Sequence, residues 1–293
     1  MKPDRKTCTL EWGEVSYLEW KPLSAPRGQD VLLLHGGGVD SAHLSWAPLG
    51  RDLARKGYRV IAPDAPGYGG SDAAPWPVTQ RRLDEFVGEF VAALELDRYV
   101  LGGLSMGGGM ALGHTLEHPE QVRALMLFAS YGLSDYQFDS PISSALQTVT
   151  WATVRSGLLD AVQRGYAKRR SWMERSLHGA IRDPERITDA LVDEVMQEAE
   201  KGTAFTAFTQ WQRDQILWNR MATNHLDRLS EIDLPVLIVQ GGRDSAVPVS
   251  SARAAAARLS DAQLLLIDDA GHWIQRDQPE EVGRTVIEFV QGN

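Results

Sequence analysis

The stretch that most constrains this chain is Tyr99-Val100-Leu101-Gly102-Gly103-Leu104-Ser105-Met106-Gly107-Gly108-Gly109. A short apolar run, of the kind that forms a buried strand, passes straight into Gly103-Leu104-Ser105-Met106-Gly107 and then into an Ala/Leu-rich segment with helical character. A strand that turns at once into a helix strains the backbone of its central residue and crowds the neighbours, so the flanking positions must lack bulky side chains. The pattern predicts a serine held out at the carboxyl edge of a sheet. Glycine-rich turns of the same spelling occur without any chemistry, so the reading depends on the rest of the chain.

Strand-like and helix-like segments alternate around it. Glu11 to Trp20, interrupted by Gly13, is expected to form a small opening hairpin, with Trp12 and Trp20 as packing residues. Val31 to Leu34 is a wholly apolar strand ending in His35-Gly36-Gly37-Gly38, Leu49 to Lys56 reads as a helix, and Tyr58 to Ala62 as the next strand. Pro63 to Asp72 makes a long turn. Leu83, Phe86, Val87, Phe90, Val91 and Leu94 recur on one helical face, so Thr79 to Leu94 should pack on a sheet. Ala124 to Phe128 follows the Ser105 strand and its helix. Strands alternating with helices predict an α/β fold with a doubly wound, mostly parallel sheet, and in such sheets sites collect at the carboxyl ends of strands. His35, Ser105 and the turn after Phe128 all lie there.

The strand signal then stops until Asn224, and the text becomes helical and rich in aromatic residues: Trp151, Trp172, Phe205, Phe208, Trp211 and Trp218. We read residues 133–225 as an inserted helical cap over a core of residues 1–132 and 226–293. Such a cap would place an apolar, water-poor pocket over Ser105. The sheet resumes at Pro235 to Gln240, followed by Gly241-Gly242-Arg243-Asp244, and again at Gln263 to Ile267, followed by Asp268-Asp269-Ala270-Gly271-His272-Trp273. An amphipathic helix beginning near Pro279 closes the chain.

A serine hydroxyl is a weak nucleophile at neutral pH and needs a base, which in turn needs an orienting carboxylate. His272 and Asp244 each follow a predicted strand, and the chain order is Ser105, Asp244, His272. Asp135, Asp268 and Asp269 are competing acids. Three consecutive glycines after the Val31 to Leu34 strand allow backbone N–H groups to point into a cavity, where they can stabilise an oxyanion.

Composition narrows the function classes. Lys plus Arg number 30 and Asp plus Glu 39, a net charge of -9, which opposes a broad phosphate-binding surface; nucleic acid is not an expected partner. The basic run Lys168-Arg169-Arg170 reads as a solvated helix face. Cys8 is the single cysteine, which rules out an intrachain disulfide and a cysteine-based zinc cluster. The first residues lack the apolar core of a secretory signal and no run has transmembrane length, so a cytoplasmic protein without membrane attachment is expected. No metal or cofactor is expected, the partner is a small-molecule substrate, and the chain is expected as a monomer or homodimer.

Taken together, His35-Gly36-Gly37-Gly38, Pro63 to Gly69, Gly103 to Gly107, Gly242-Arg243-Asp244 and Gly271-His272-Trp273 resemble the landmarks of capped α/β-hydrolase fold proteins over nearly the whole chain. The resemblance implies a serine hydrolase with an oxyanion hole from the backbone N–H of Met106 and one from the His-Gly loop, Gly37 first and Gly38 second. His35 would order that loop. Trp273 and Val247, beside the expected triad, are substrate-binding candidates, with His43 and Trp46 as further ones. The aspartate-nucleophile dehalogenases and epoxide hydrolases resemble the chain in other respects, but Ser105 sets it apart. The carbon–carbon hydrolases of aromatic ring-cleavage pathways share the Ser-Met-Gly-Gly elbow and the Gly-His-Trp turn. Leu104, however, replaces the asparagine usual before their serine, and Arg213 is only a late substitute for their cap arginine. The reading preferred from sequence is an esterase or lactonase acting on a small, largely apolar ester through an acyl-enzyme. A carbon–carbon hydrolase and a non-catalytic binding protein on the same fold are the alternatives.

Overall fold

The computed structural model describes residues 2–293, with the side chain of Tyr166 left outside the description. In chain order the elements are β1 (Asp4–Leu10), β2 (Gly13–Trp20), β3 (Asp30–Leu34), α1 (Ala42–Arg55), β4 (Arg59–Pro63), α2 (Gln80–Ala93), β5 (Tyr99–Leu104), α3 (Met106–Glu117) and β6 (Val122–Phe128). Five helices follow without a sheet strand between them: α4 (Ser143–Arg155), α5 (Leu158–Ala167), α6 (Arg170–Ala180), α7 (Asp189–Lys201) and α8 (Thr203–Gln215). Then come β7 (Val236–Gly241), α9 (Val249–Ala256), β8 (Ala262–Ile267), a single turn α10 (Ile274–Asp277) and α11 (Pro279–Gly292).

The eight strands form one sheet in the order β1-β2-β4-β3-β5-β6-β7-β8. The β1–β2 and β2–β4 pairs are antiparallel and every other pair is parallel. The expected doubly wound, mostly parallel α/β sheet with a helical insert is what the chain forms. Strands β3 to β7 are mainly apolar because both faces of the sheet are covered. Val31 and Leu33 join one apolar cluster with Trp46 of α1 and Val286 of α11, whereas Leu32 and Leu34 join another with Phe86 of α2 and Met110 of α3. The same two-residue alternation sorts Met126 from Leu127 and Leu237 from Ile238. After β4 the chain crosses back past β3 to form β5, so β3 and β5 are neighbours at the point where the winding reverses. A crevice opens there beyond the strand ends.

Three local differences have clear causes. The opening hairpin begins at Asp4 rather than Glu11, because polar, half-exposed residues on an edge strand carry little pattern. Helix α1 begins at Ala42, capped by Ser41 accepting from the Leu44 N–H at 3.3 Å, with Pro48 inside it. The N–H that Pro48 lacks would have gone to the Leu44 carbonyl, which instead accepts from the Arg276 guanidinium at 2.5 Å. The Ala-rich α9 carries too weak an apolar stripe to stand out in the sequence.

Candidate active site

Ser105 sits between β5 and α3 with φ 51° and ψ -115°, a backbone conformation that L-residues seldom adopt. It is pinned there: its N–H donates to the Phe128 carbonyl at 2.9 Å, and its own carbonyl accepts from Gly109 at 3.1 Å and Tyr131 at 3.0 Å. The flanking glycines are required by contact. A Cβ on Gly103 would lie 2.0 Å from the Gly107 carbonyl oxygen, and one on Gly107 would lie 2.4 Å from the carbonyl oxygens of Leu34 and His35.

His272 and Asp244, carried by the loops after β8 and β7, meet with Nδ1 of the imidazole 2.9 Å from Oδ2 of the carboxylate. The other oxygen of Asp244 accepts from the Ala246 and Val247 N–H groups at 2.7 and 3.0 Å, and Gln240 donates to Oδ2 at 3.0 Å. Burial opposes ionisation of Asp244, but the charge and hydrogen bond of His272 and these backbone donors outweigh it and hold the carboxyl below its ordinary pKa. Burial likewise opposes a charged His272, yet the charge and hydrogen bond of Asp244, with the charge of Asp40 added, bring its pKa above the ordinary 6.5. With Nδ1 donating to the carboxylate, Nε2 is left as the acceptor. Asp135 is occupied with the Asn224 side chain at 2.9 Å, and Asp268 and Asp269 are exposed.

The loop after β3 is held from both sides. His35 donates from Nδ1 to the Gly36 carbonyl at 2.7 Å and accepts at Nε2 from the Ala65 N–H at 2.9 Å, so its ring is committed to shaping the loop. The Gly36 N–H donates to Asp40 at 2.8 Å. Gly38, at φ 77°, turns its N–H toward the buried Tyr68 hydroxyl. Among the described residues the Gly37 N–H has no acceptor, and Gly37 lines the same space as Ser105 and His272. The Met106 N–H is at the first position of α3, where no helical partner exists.

Two chambers meet at Ser105, Gly37, Gly38 and His272. One, of about 320 Å³, runs under α6 and α7 and is walled by Trp273, Leu104, Leu177 and Phe205. The other, of about 250 Å³, runs under α8 and is walled by Val247, Tyr131, Phe208 and Trp211. Trp273 and Val247 therefore line one chamber each. Two expectations need correction. Trp46 is fully buried in the core, edge-on to Phe128 at 5.2 Å, because its position on α1 faces the sheet. His43, in the turn before it on the same helix, is half-exposed, with Glu194 of α7 at 3.6 Å. Neither lines a chamber, and nor does Arg213. Residues that sequence reasoning missed are Asp40 and Gln163, both in the first chamber. An acidic residue just after a glycine loop was a signal for Asp40, whereas Gln163 had none.

The insert is tied to the triad loops. Asp277 accepts from the Gly271 N–H at 2.6 Å and from Arg182 and Asp183 N–H at 2.9 Å each, and Trp273 donates from its backbone to the Ala180 carbonyl at 2.9 Å.

The model of the alpha/beta hydrolase fold family matches residues 30–279. This chain belongs to that family. Its relatives include a 2-hydroxy-6-oxo-6-(2'-aminophenyl)hexa-2,4-dienoic acid hydrolase of Metapseudomonas resinovorans, 28% identical over 93% of this chain and 88% of that protein. Another is the 2-hydroxymuconate semialdehyde hydrolase of Pseudomonas putida, 29% identical over 90% of this chain and 87% of its own length. Among solved structures, a serine hydrolase involved in carbazole degradation superposes with a TM-score of 0.79 at 25% identity, covering 99% of this chain and all of that one. Within the alpha/beta hydrolases, then, the chain is a serine hydrolase. No helix among the described residues is long and apolar enough to cross a membrane.

Proposed function

We propose that Ser105 is the nucleophile, His272 its base and Asp244 the orienting acid, in hydrolysis of a small, largely apolar carboxylic ester or lactone. Nε2 of His272 takes the hydroxyl proton as Oγ of Ser105 attacks the carbonyl carbon, and the oxyanion is received by the N–H groups of Gly37 and Met106. Collapse expels the alcohol, which leaves with the proton from His272. Water, deprotonated by the same imidazole, then cleaves the acyl-enzyme and frees the acid. Gly38 is set aside as a donor because its N–H faces Tyr68.

The observation that carries the ester reading is the lining: among the described residues neither chamber holds a lysine or an arginine. The second reading, hydrolysis of a carbon–carbon bond in a ring-fission product, is the one the relatives favour, since several curated relatives are named as hydrolases of 2-hydroxy-6-oxo-dienoic acids or of 2-hydroxymuconate semialdehyde, compounds of the class that ring fission yields. It is favoured by likeness and opposed by the lining, because those names describe acids and a buried carboxylate calls for a cation. Labelling by a fluorophosphonate, lost in Ser105→Ala, tests the nucleophile and separates an enzyme from a binding protein. Turnover of 4-nitrophenyl butyrate should exceed that of a vinylogous ring-fission diketone acid; the reverse order would establish the second reading.

A further inference from the structure

Gln163, on α5, lines the first chamber with Ser105 and His272. Its side-chain carbonyl oxygen is buried and, among the described residues, has no hydrogen-bond partner, a condition that folded proteins rarely leave unrelieved. The neighbouring wall from the insert is apolar at Met173, Leu177 and Val195, and the one hydroxyl that α6 adds to it, on Ser176, donates to the Met173 carbonyl at 2.7 Å. An acceptor kept dry in such a wall is suited to a donor brought in by a ligand.

Asp40 decides which donor. It is buried, it lines the same chamber, and its two oxygens accept from the Gly36 and Ser41 N–H groups and the Ser45 hydroxyl at 2.8, 2.7 and 2.7 Å. Burial raises the pKa of Asp40 above its ordinary value, and His35 with these three donors works against that rise; three donors on two oxygens suit the ionised form. A ligand carboxylate would therefore face a like charge and a carbonyl acceptor, with no lysine or arginine among the described lining residues to offset them. An uncharged amide or hydroxyl would supply the hydrogen that Gln163 lacks.

We infer that this chamber takes an uncharged, hydrogen-bond-donating head, a primary amide or a hydroxyl, and that Gln163 is the residue that receives it. The inference rests on Ser105 as the nucleophile. It does not depend on whether the natural bond is an ester or a carbon–carbon bond.

The test uses three fluorophosphonates whose alkyl arms match except for a terminal methyl, carboxamide or carboxylate. Oγ of Ser105 displaces fluoride from each, and labelling rates of the full chain are read by intact-protein mass spectrometry. The carboxamide probe should react at least about tenfold faster than the carboxylate probe, and Gln163→Leu should lower the carboxamide-to-methyl rate ratio by about tenfold. Gln163→Glu, which keeps the volume, should slow the carboxylate probe further and serves if the leucine variant does not fold. A carboxylate probe that matches or outruns the carboxamide, as an amide turned the other way would allow, overturns the inference. So does a ratio indifferent to Gln163. Failure of all three probes to label removes the nucleophile and the inference with it, whereas labelling without ester turnover removes the ester reading alone.

Discussion

Nδ1 of His272 stands 2.9 Å from Oδ2 of Asp244, and the far oxygen of that carboxylate is held by two backbone N–H groups, so the imidazole is aimed by a partner that is itself fixed. His272 must be neutral to take a proton, and its pKa lies above 6.5. The acid limb of kcat/KM should therefore fall above pH 6.5, with activity lost as pH drops through it. Asp244→Asn removes the larger influences that raise the pKa and leaves burial, which lowers it, opposed only by the smaller effect of Asp40. The limb should move to lower pH while kcat falls by about 10⁴. A pH–rate profile of both proteins checks this, and an unmoved limb would contradict the pairing.

Ser105 occupies a backbone region that costs about 1–3 kcal/mol for a residue with a side chain. Ser105→Gly should abolish activity yet raise the free energy of unfolding by about 1 kcal/mol. Thermal melting of the two proteins gives the comparison, and a less stable glycine variant would show that the elbow is not strained.

Gly37 lies beneath Phe208 of the insert, where an added Cβ would come within 2.3 Å of the ring. Gly37→Ala should lower kcat/KM by about 10²–10³ as the loop is pushed off the oxyanion position. Because the obstruction is a side chain, Phe208→Ala in the same molecule should recover much of that loss. Additive losses in the double variant would mean that the contact is not the cause.

Asp277 is fully buried and satisfies three backbone donors, one of them on Gly271 and two in the segment after α6. Asp277→Ala leaves those donors without an acceptor and should cost about 3 kcal/mol or more in urea unfolding. Gly271 precedes His272, so kcat/KM should fall as well. Asp277→Asn, which keeps one acceptor oxygen, should be milder on both measures.

The sheet, its two covered faces and the Ser, Asp, His order were legible because they follow from local rules. The unbroken apolar run Val31 to Leu34 marked a buried strand, and crowding at the elbow demanded Gly103 and Gly107. Helix α1 shows where such rules stop. From sequence the helix starts at Leu49, but the turns before it form as well because Arg276, distant in sequence, takes the carbonyl that Pro48 leaves free.

Sequence by itself determined the architecture and the chemical types at the strand ends, since strand period, glycine sterics and connection length act between near neighbours. Only the tertiary structure decided which of His43, Trp46, Val247 and Trp273 face the cavity, that Gly38 turns to Tyr68, and that Asp40 and Gln163 share a chamber with Ser105. The physical reason is that these outcomes depend on how the insert docks over the sheet and which side of α1 the sheet covers. Such contacts join segments whose separation in the chain carries no periodic signal.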